Sequence, residues 1–363
     1  MAPAVQSPAT DRIVCAVMAG GSGTRFWPLS RKGEPKQLLR FFGDSTLLGA
    51  TVDRLKPLCP PQRWLVITAA HLVQAVQQVL PDLPDGHIIG EPVARNTAPC
   101  MAIAAMAAQS LVPDAILVLL PADHWVADPV AFAQAIAVAA VAADAGQIVT
   151  LGVVPTQPET GYGYIEVQGP AVAGVAPVAR FVEKPSLDTA LQYLADGRHL
   201  WNAGVFVVRA DRALRALDDH VAEIGTCLQP LRHQPLGSPA WQAILNKTFS
   251  LCPSVSIDYA VMEHEPAIGV VRLEAGWSDV GTWHSILALR PQDEQNFSYG
   301  PVLAIDCDQC VLISKGPYVA AIGLHNMAVV VTDDATLVLP LDRSQDVRQV
   351  VAQVTAAGRA DLL

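Results

Sequence analysis

At 363 residues the chain has room for one large domain and a smaller one, with a substantial core. A hydrophobic content of 51% against a charged content of 16% excludes disorder as the dominant state. With 24 basic and 34 acidic side chains the net charge is −10, which speaks against a nucleic-acid partner but leaves room for a small anionic substrate in a local positive pocket.

Residues 1–12 lack a basic segment followed by an apolar one, so no signal peptide is expected. Residues 13–18 form an apolar strand that ends in a glycine-rich break. Helical spacing over 46–58 (Leu47, Leu48, Val52, Leu55) is followed by a strand at 64–68, a helix at 71–80, a strand at 87–89 and a helix at 97–110. The fully apolar run 115–120 reads as a central strand buried on both faces. Asp128-Pro129 opens an Ala-rich helix, with Asp as N-cap and Pro at the first helical position. The next strand is expected at 147–154. Strand and helix alternating at this spacing predict a parallel sheet with helices on both faces. Later strands are expected at 162–167, 175–183 and 205–209, helices at 188–195 and 211–219, and a helical region over about 220–250. From Ser298 onward, short Val/Ile/Leu runs broken by Gly, Asp and Pro predict a small β-rich region closed by a helix at 344–354. The change of style near Arg290-Pro291 is the expected boundary, giving a domain of residues 1–290 and one of 291–363. No apolar run reaches the roughly 18–20 residues of a membrane span, so no membrane contact is expected. Seven scattered cysteines make no disulfide framework, and a cytoplasmic protein with reduced thiols is expected. Cys307 and Cys310 have CxxC spacing without a second ligand pair, and read as a turn between two strands.

Ala19-Gly20-Gly21-Ser22-Gly23-Thr24-Arg25 follows the first strand directly. Consecutive glycines let several amide N–H groups converge on an anion. A Walker A loop requires a Lys that is absent, and a dinucleotide fingerprint started at Gly21 meets Phe26 where its last glycine belongs. The strand at 64–68 also ends without the acidic ribose ligand, which counts against a nicotinamide-dependent redox enzyme. Arg25, Arg31 and Lys36 cluster close behind the loop. In an acidic chain, cations beside a nest of amides suit a triphosphate.

Residues 20–37, with Gly20-Gly21, Gly23-Thr24-Arg25, Trp27-Pro28-Leu29-Ser30-Arg31 and Pro35-Lys36-Gln37, resemble the GG-x-GTR-x-WPLSR…PKQ motif of mannose-1-phosphate guanylyltransferases within the sugar nucleotidyltransferase superfamily. Further segments agree in order: Glu91-Pro92-Val93-Ala94-Arg95-Asn96-Thr97-Ala98-Pro99, Leu120-Pro121-Ala122-Asp123-His124, Thr160-Gly161-Tyr162-Gly163-Tyr164-Ile165-Glu166 and Phe181-Val182-Glu183-Lys184-Pro185. Trp201-Asn202-Ala203-Gly204-Val205-Phe206, the segment Ser256 to Glu263 and Gly276-Trp277-Ser278-Asp279-Val280-Gly281-Thr282-Trp283 complete the series. The likeness covers about residues 12–290, and the tail resembles that of the short members. Phe26 replaces the usual Leu, and Thr282 the common Ser.

The resemblance implies an α/β fold: a Rossmann-like, mixed, mainly parallel sheet with helices on both faces, plus a small C-terminal β-rich domain. It implies transfer of GMP from GTP to α-D-mannose 1-phosphate, giving GDP-mannose and pyrophosphate. Asp123 and Asp279 are expected to share Mg²⁺ or another divalent cation. Arg25 and Lys36 would stabilise the α-phosphoryl and the departing pyrophosphate. Gly20, Gly21, Gly23, Thr24, Arg25, Lys36, Glu91, Arg95, Asn96 and Thr97 are the expected nucleotide contacts. Gly163, Glu183, Lys184, Asn202 and Gly204 are those of the sugar phosphate, with Lys184 on the phosphate. Tyr162, Trp201 and Trp277 are candidate walls; His124 and His284 read as structural. The attacking phosphate ionises with a second pKa of ~6, so no general base is needed. Another sugar phosphate (heptose or fucose) or a non-catalytic sugar-nucleotide sensor stays open, although a sensor need not keep Lys36, Lys184, Asp123 and Asp279 together. The chain ends before the phosphomannose isomerase domain of long members, so one activity is expected. The apolar tail is expected to pack on the catalytic domain or, in a homodimer, on a second subunit.

Overall fold

Strand β1 (Ile13–Ala19) places Val14 and Ala16 on one face and Ile13, Cys15 and Val17 on the other, and all five are buried. A strand covered on both faces needs neighbours at either side and helices above and below. In the computed structural model, which describes residues 7–21, 23–41, 43, 45–290 and 294–363, β1 pairs in parallel with β2 (Trp64–Ala69) and β4 (Ile116–Pro121). Strand β3 (Ile88–Glu91) extends this parallel group beyond β2. Ser22 of the glycine loop, Pro291 of the expected boundary and residues 1–6 of the N-terminal reading lie outside the described residues.

Five more strands complete the sheet: β5 (Ile148–Val153), β6 (Gly163–Val167), β7 (Ala176–Glu183), β8 (His199–Arg209) and β9 (Ile268–Arg272). The order is β3-β2-β1-β4-β8-β5-β9-β7-β6, and β8 also reaches β6. Strand β8 runs antiparallel to both β4 and β5, while β5 and β9 are parallel. The sheet is therefore mixed: a parallel group at one end, antiparallel pairs at the other.

Helix Thr97–Leu111 is apolar almost all round and buried from Ala98 to Ala108, its alanines allowing close approach to the sheet. Helix Pro129–Asp144 starts as expected, with Asp128 accepting from the amides of Val130 and Ala131. Two expectations change. The helix in 46–58 runs only over Leu47–Asp53, because Pro57 has no N–H to give the Asp53 carbonyl and its ring clashes with the carbonyl four residues earlier. The strand expected at 205–209 begins at His199, since its first half pairs with β6 and β5 and its second with β4 and β5. Asn202 and Gly204 thus lie inside a strand.

The chain packs as two compact units. The first comprises the described residues up to Gly20, Val52–Ala122 and Val126–Trp277, and holds the nine-stranded sheet. The second comprises Gly21–Thr51, Asp123–Trp125 and Ser278–Leu363. Its strands are β10 (Phe297–Tyr299), β11 (Val302–Ile305), β12 (Val311–Ser314), β13 (Val319–Ile322), β14 (Met327–Val331) and β15 (Thr336–Pro340). β10, β12 and β14 pair in parallel, as do β11 and β13, so successive strands wind as a β-helical coil; β15 closes on β14 antiparallel, and helix Val347–Ala356 follows. One core joins Phe26, Trp27, Leu39 and Phe41 to Trp283, Phe297, Val311, Ile313 and Val330. Phe26 meets the edge of Trp283 at 4.9 Å between ring centroids. Cys307 and Cys310 are buried in the turn between β11 and β12, beside Leu312 and Ala321. Among the described residues no helix is long and apolar enough to cross a membrane.

Candidate active site

Gly23 adopts a left-handed conformation (φ 58°), and a Cβ there would lie 2.5 Å from Lys36 Cβ and 2.7 Å from the Lys36 amide nitrogen. Only glycine lets the loop close on Lys36. The lysine side chain is 7% exposed, and its Nζ donates to Asp123 Oδ2 at 2.8 Å and to the main-chain oxygen of Asp279 at 2.6 Å. Lys36 thereby brings together two carboxylate residues 156 apart in sequence. Withdrawal from water works against the charged form of Asp123, but the charge of Lys36, then that of His124, outweighs it and holds the carboxyl below its ordinary range. Asp279 Oδ1 accepts from the Gly281 amide, and a Cβ on Gly281 would sit 2.5 Å from Oδ2. Between them Val280 is held at φ 47°, a conformation that costs a β-branched residue on the order of 1–3 kcal/mol and is typical of functional turns. Arg25 has a buried Nε without a hydrogen-bond partner among the described residues; Thr24 and Gly21 are exposed.

In the sheet-bearing unit, β6, β7 and β8 gather the expected sugar-phosphate residues. A Cβ at Gly163 would lie 2.6 Å from Glu183 Oε2, so the glycine makes room for a carboxylate whose side chain is only 8% exposed. Lys184, at φ 47°, turns its ammonium onto Glu183 Oε1. Asn202 is fixed at both ends of its amide: Oδ1 accepts from Thr150 Oγ1 and from the Gly204 amide, both at 3.0 Å, and Nδ2 donates to Asp258 Oδ1 at 3.0 Å. Tyr162 stands edge-on to Trp201 and Trp277, with centroids 5.2 and 5.6 Å away.

Glu91 ends β3, and its Oε2 faces Gly20. Loss of water pushes its carboxyl up to about 7, a hydrogen bond from Cys100 opposing only part of that rise. Its Oε1 is buried with no partner among the described residues. Arg95, Asn96 and Thr97 each make a hydrogen bond within the protein, while Arg95 Nε is buried with no partner among the described residues and Asn96 is exposed. Arg95 Nη2 donates to the Ser250 carbonyl, Asn96 caps helix Thr97–Leu111 by accepting from the Thr97 amide, and Thr97 Oγ1 accepts from the Ile257 amide at 2.9 Å.

Two residues received no role from the sequence. Asp258 contacts Asn202, and Glu263 Oε1 accepts from the Glu183 amide at 3.2 Å. Both sit in the segment Ser256 to Glu263, whose core Asp258–Met262 forms a π-helical turn. A π-turn has no simple sequence periodicity but is frequent at functional sites. The signal available beforehand was the motif itself.

The profile of the nucleotidyl transferase family matches residues 15–296, and that of the MannoseP isomerase/GMP-like β-helix domain matches residues 300–354. The chain is 42% identical over 347 residues to the xanthan biosynthesis protein XanB of Xanthomonas campestris pv. campestris (strain B100), covering 95% of this chain and 74% of that protein. It is 40% identical over 341 residues to a mannose-1-phosphate guanylyltransferase of Klebsiella pneumoniae, covering 92% and 72%. A solved structure from Thermus thermophilus, described as a mannose-1-phosphate geranyltransferase, superposes with a TM-score of 0.87 at 34% identity, covering 95% of this chain and 99% of that one.

Proposed function

The chain belongs to the mannose-1-phosphate guanylyltransferase family of nucleotidyl transferases, and we propose on that footing that it transfers GMP from GTP to α-D-mannose 1-phosphate, releasing pyrophosphate. The carrying observation is the Lys36–Asp123–Asp279 cluster seated on Gly23. A sugar-phosphate oxygen forms the new bond to the α-phosphorus of GTP while the bond from that phosphorus to the β-bridging oxygen breaks, its electron pair leaving with pyrophosphate. The nucleophile is already ionised, so positioning and charge neutralisation are the protein's tasks. Arg25, whose Nε lacks a protein acceptor among the described residues, takes a phosphate oxygen. Lys36 holds Asp123 in place and adds positive charge near the triphosphate.

Asp123 and Asp279 offer hard carboxylate oxygens, a donor set that suits a magnesium ion completed by substrate phosphates and water. When bound there, such an ion would offset charge on the triphosphate. Lys184 anchors the attacking phosphate, and Glu183 and Asn202 take sugar hydroxyls. Glu91, ionised in the nucleotide complex, accepts from the N1–H and N2–H donors of guanine, which adenine does not present and which favour its charged form. Arg95, Asn96 and Thr97 hold the loop that follows it.

Pyrophosphate release from the purified protein, assayed with each nucleoside triphosphate and sugar 1-phosphate, tests the reading. GTP with mannose 1-phosphate is expected to give the highest kcat/KM, with ATP and UTP disfavoured by up to ~10⁴-fold, the limit when a polar site is left unpaired. Comparable turnover with ATP overturns the base assignment.

A further inference from the structure

Asp258 joins the sugar-phosphate group of residues without having been assigned any part in it. Its Oδ1 accepts from Asn202 Nδ2, at the end of a relay in which Thr150 Oγ1 and the Gly204 amide hold the other end of the same side chain. Asn202 Oδ1 takes the Gly204 amide and shares the Thr150 hydroxyl hydrogen with the Val205 carbonyl, and one N–H is on Asp258; a single N–H remains for a ligand, and its direction is set by Asp258. The charges around Asp258 are unbalanced. Glu183, at the end of β7, and Lys184, just past it, face it; Tyr259 is in its own turn and Glu263 directly follows that turn; Asn202 approaches from β8 and brings no charge. Lys184, whose ammonium is the cation that acts on Asp258 among the described residues, is already paired with Glu183. A phosphate dianion placed on Lys184 therefore arrives beside two carboxylates, Glu183 and Asp258, that already share this ammonium.

We propose that Asp258 is a positioning residue of the sugar-phosphate site that holds a proton in the substrate complex, so that binding of sugar 1-phosphate takes up one proton from solvent. The inference rests on the assignment of the sugar phosphate to Lys184, Glu183 and Asn202. In the neutral acid the carbonyl oxygen still accepts from Asn202, so the amide stays oriented while the repulsion is removed. The free carboxyl is poised for this: withdrawal from water, then the charge of Glu183, pushes it up to about 7, against the opposing pull of Lys184 and Asn202.

The test is the pH dependence of KM for mannose 1-phosphate at saturating GTP between pH 7.5 and 9, where the substrate phosphate is already a dianion. The wild type is expected to show KM rising toward ~tenfold per pH unit, as one coupled proton requires, with kcat nearly level. Asp258→Asn, which keeps an acceptor oxygen and cannot ionise, is expected to show a KM independent of pH. Asp258→Ala is expected to raise KM at every pH, because Asn202 loses its anchor. A flat wild-type profile, or an Asp258→Asn enzyme that keeps the rise, overturns the inference and leaves the proposed reaction standing. If the variants do not fold, the wild-type profile decides alone. Absence of turnover at any pH overturns the proposed reaction and this inference with it.

Discussion

The Lys36 side chain is 7% exposed, and its burial is tolerable because Asp123 and the Asp279 carbonyl accept from its Nζ. Lys36→Ala would leave Asp123 without its cation, and kcat is expected to fall at least ~10²-fold with KM for mannose 1-phosphate little changed. Asp279→Asn is expected to cost a similar factor, and EDTA to abolish turnover. Lys184→Ala should instead raise KM for mannose 1-phosphate by ~10–100-fold, the worth of a charge-assisted hydrogen bond at roughly 1.5–3 kcal/mol. Steady-state kinetics on the three variants separates these outcomes; parallel effects from the two lysines would contradict the assignment. Glu91 carries a different cost. Its carboxyl is raised to about 7 in the folded protein, so the native state holds a proton that the unfolded chain gives up above its ordinary carboxylate range. Stability is therefore present in full below the unfolded pKa and is lost as pH rises through about 7. Glu91→Gln should melt higher than the wild type at pH 8, lose that advantage near pH 4, and raise KM for GTP. Thermal melts at the two pH values check it.

At the scale of elements, the glycine loop and the turn around Asp279 show how backbone sets chemistry. Gly23→Ala must displace Lys36, since the new Cβ would meet backbone as well as side chain within 3 Å, and at φ 58° it is strained besides. Its expected result is a lower melting temperature together with a kcat loss like that of Lys36→Ala. Gly21→Ala, with nothing within 4 Å of the added Cβ, should leave the melting temperature unchanged. The caps were legible beforehand at Asp128, where a short acceptor precedes a proline. The extent of β8 was not, because the residues from His199 to Gly204 are held as strand by β6 and β5, partners distant in sequence. The π-turn at Asp258 also escaped, and with it the acceptor that orients Asn202.

Over the whole molecule, the apolar tail has a definite use. Phe26, Trp27, Leu39, Phe41 and Trp283 share a core with Phe297, Val311, Ile313, Val330, Leu337 and Leu339. Each buried side chain of this kind contributes ~1.5–3 kcal/mol, so removing the tail would exceed a typical domain stability of roughly 5–15 kcal/mol. A protein of residues 1–290 is expected to aggregate on size-exclusion chromatography and to lose turnover, since Lys36 and Asp279 stand on that core. A soluble, fully active truncation would refute this.

Motif spelling and local pattern were enough to read the alternation of strands and helices, the glycine loop, the β-rich tail and the family resemblance, because strand alternation, capping and glycine usage are written in neighbouring residues. Spelling also named Lys36, Asp123 and Asp279, and the family resemblance paired the two aspartates without giving the contacts of the lysine. That Lys36 Nζ holds one carboxylate and the carbonyl of the other residue, that residues 21–51 share a core with the tail, and that Asp258 stands behind Asn202 were decided by packing between segments far apart in the chain. Such contacts depend on closure of long loops around a common core, and no local periodicity encodes which distant partner a buried charge will meet.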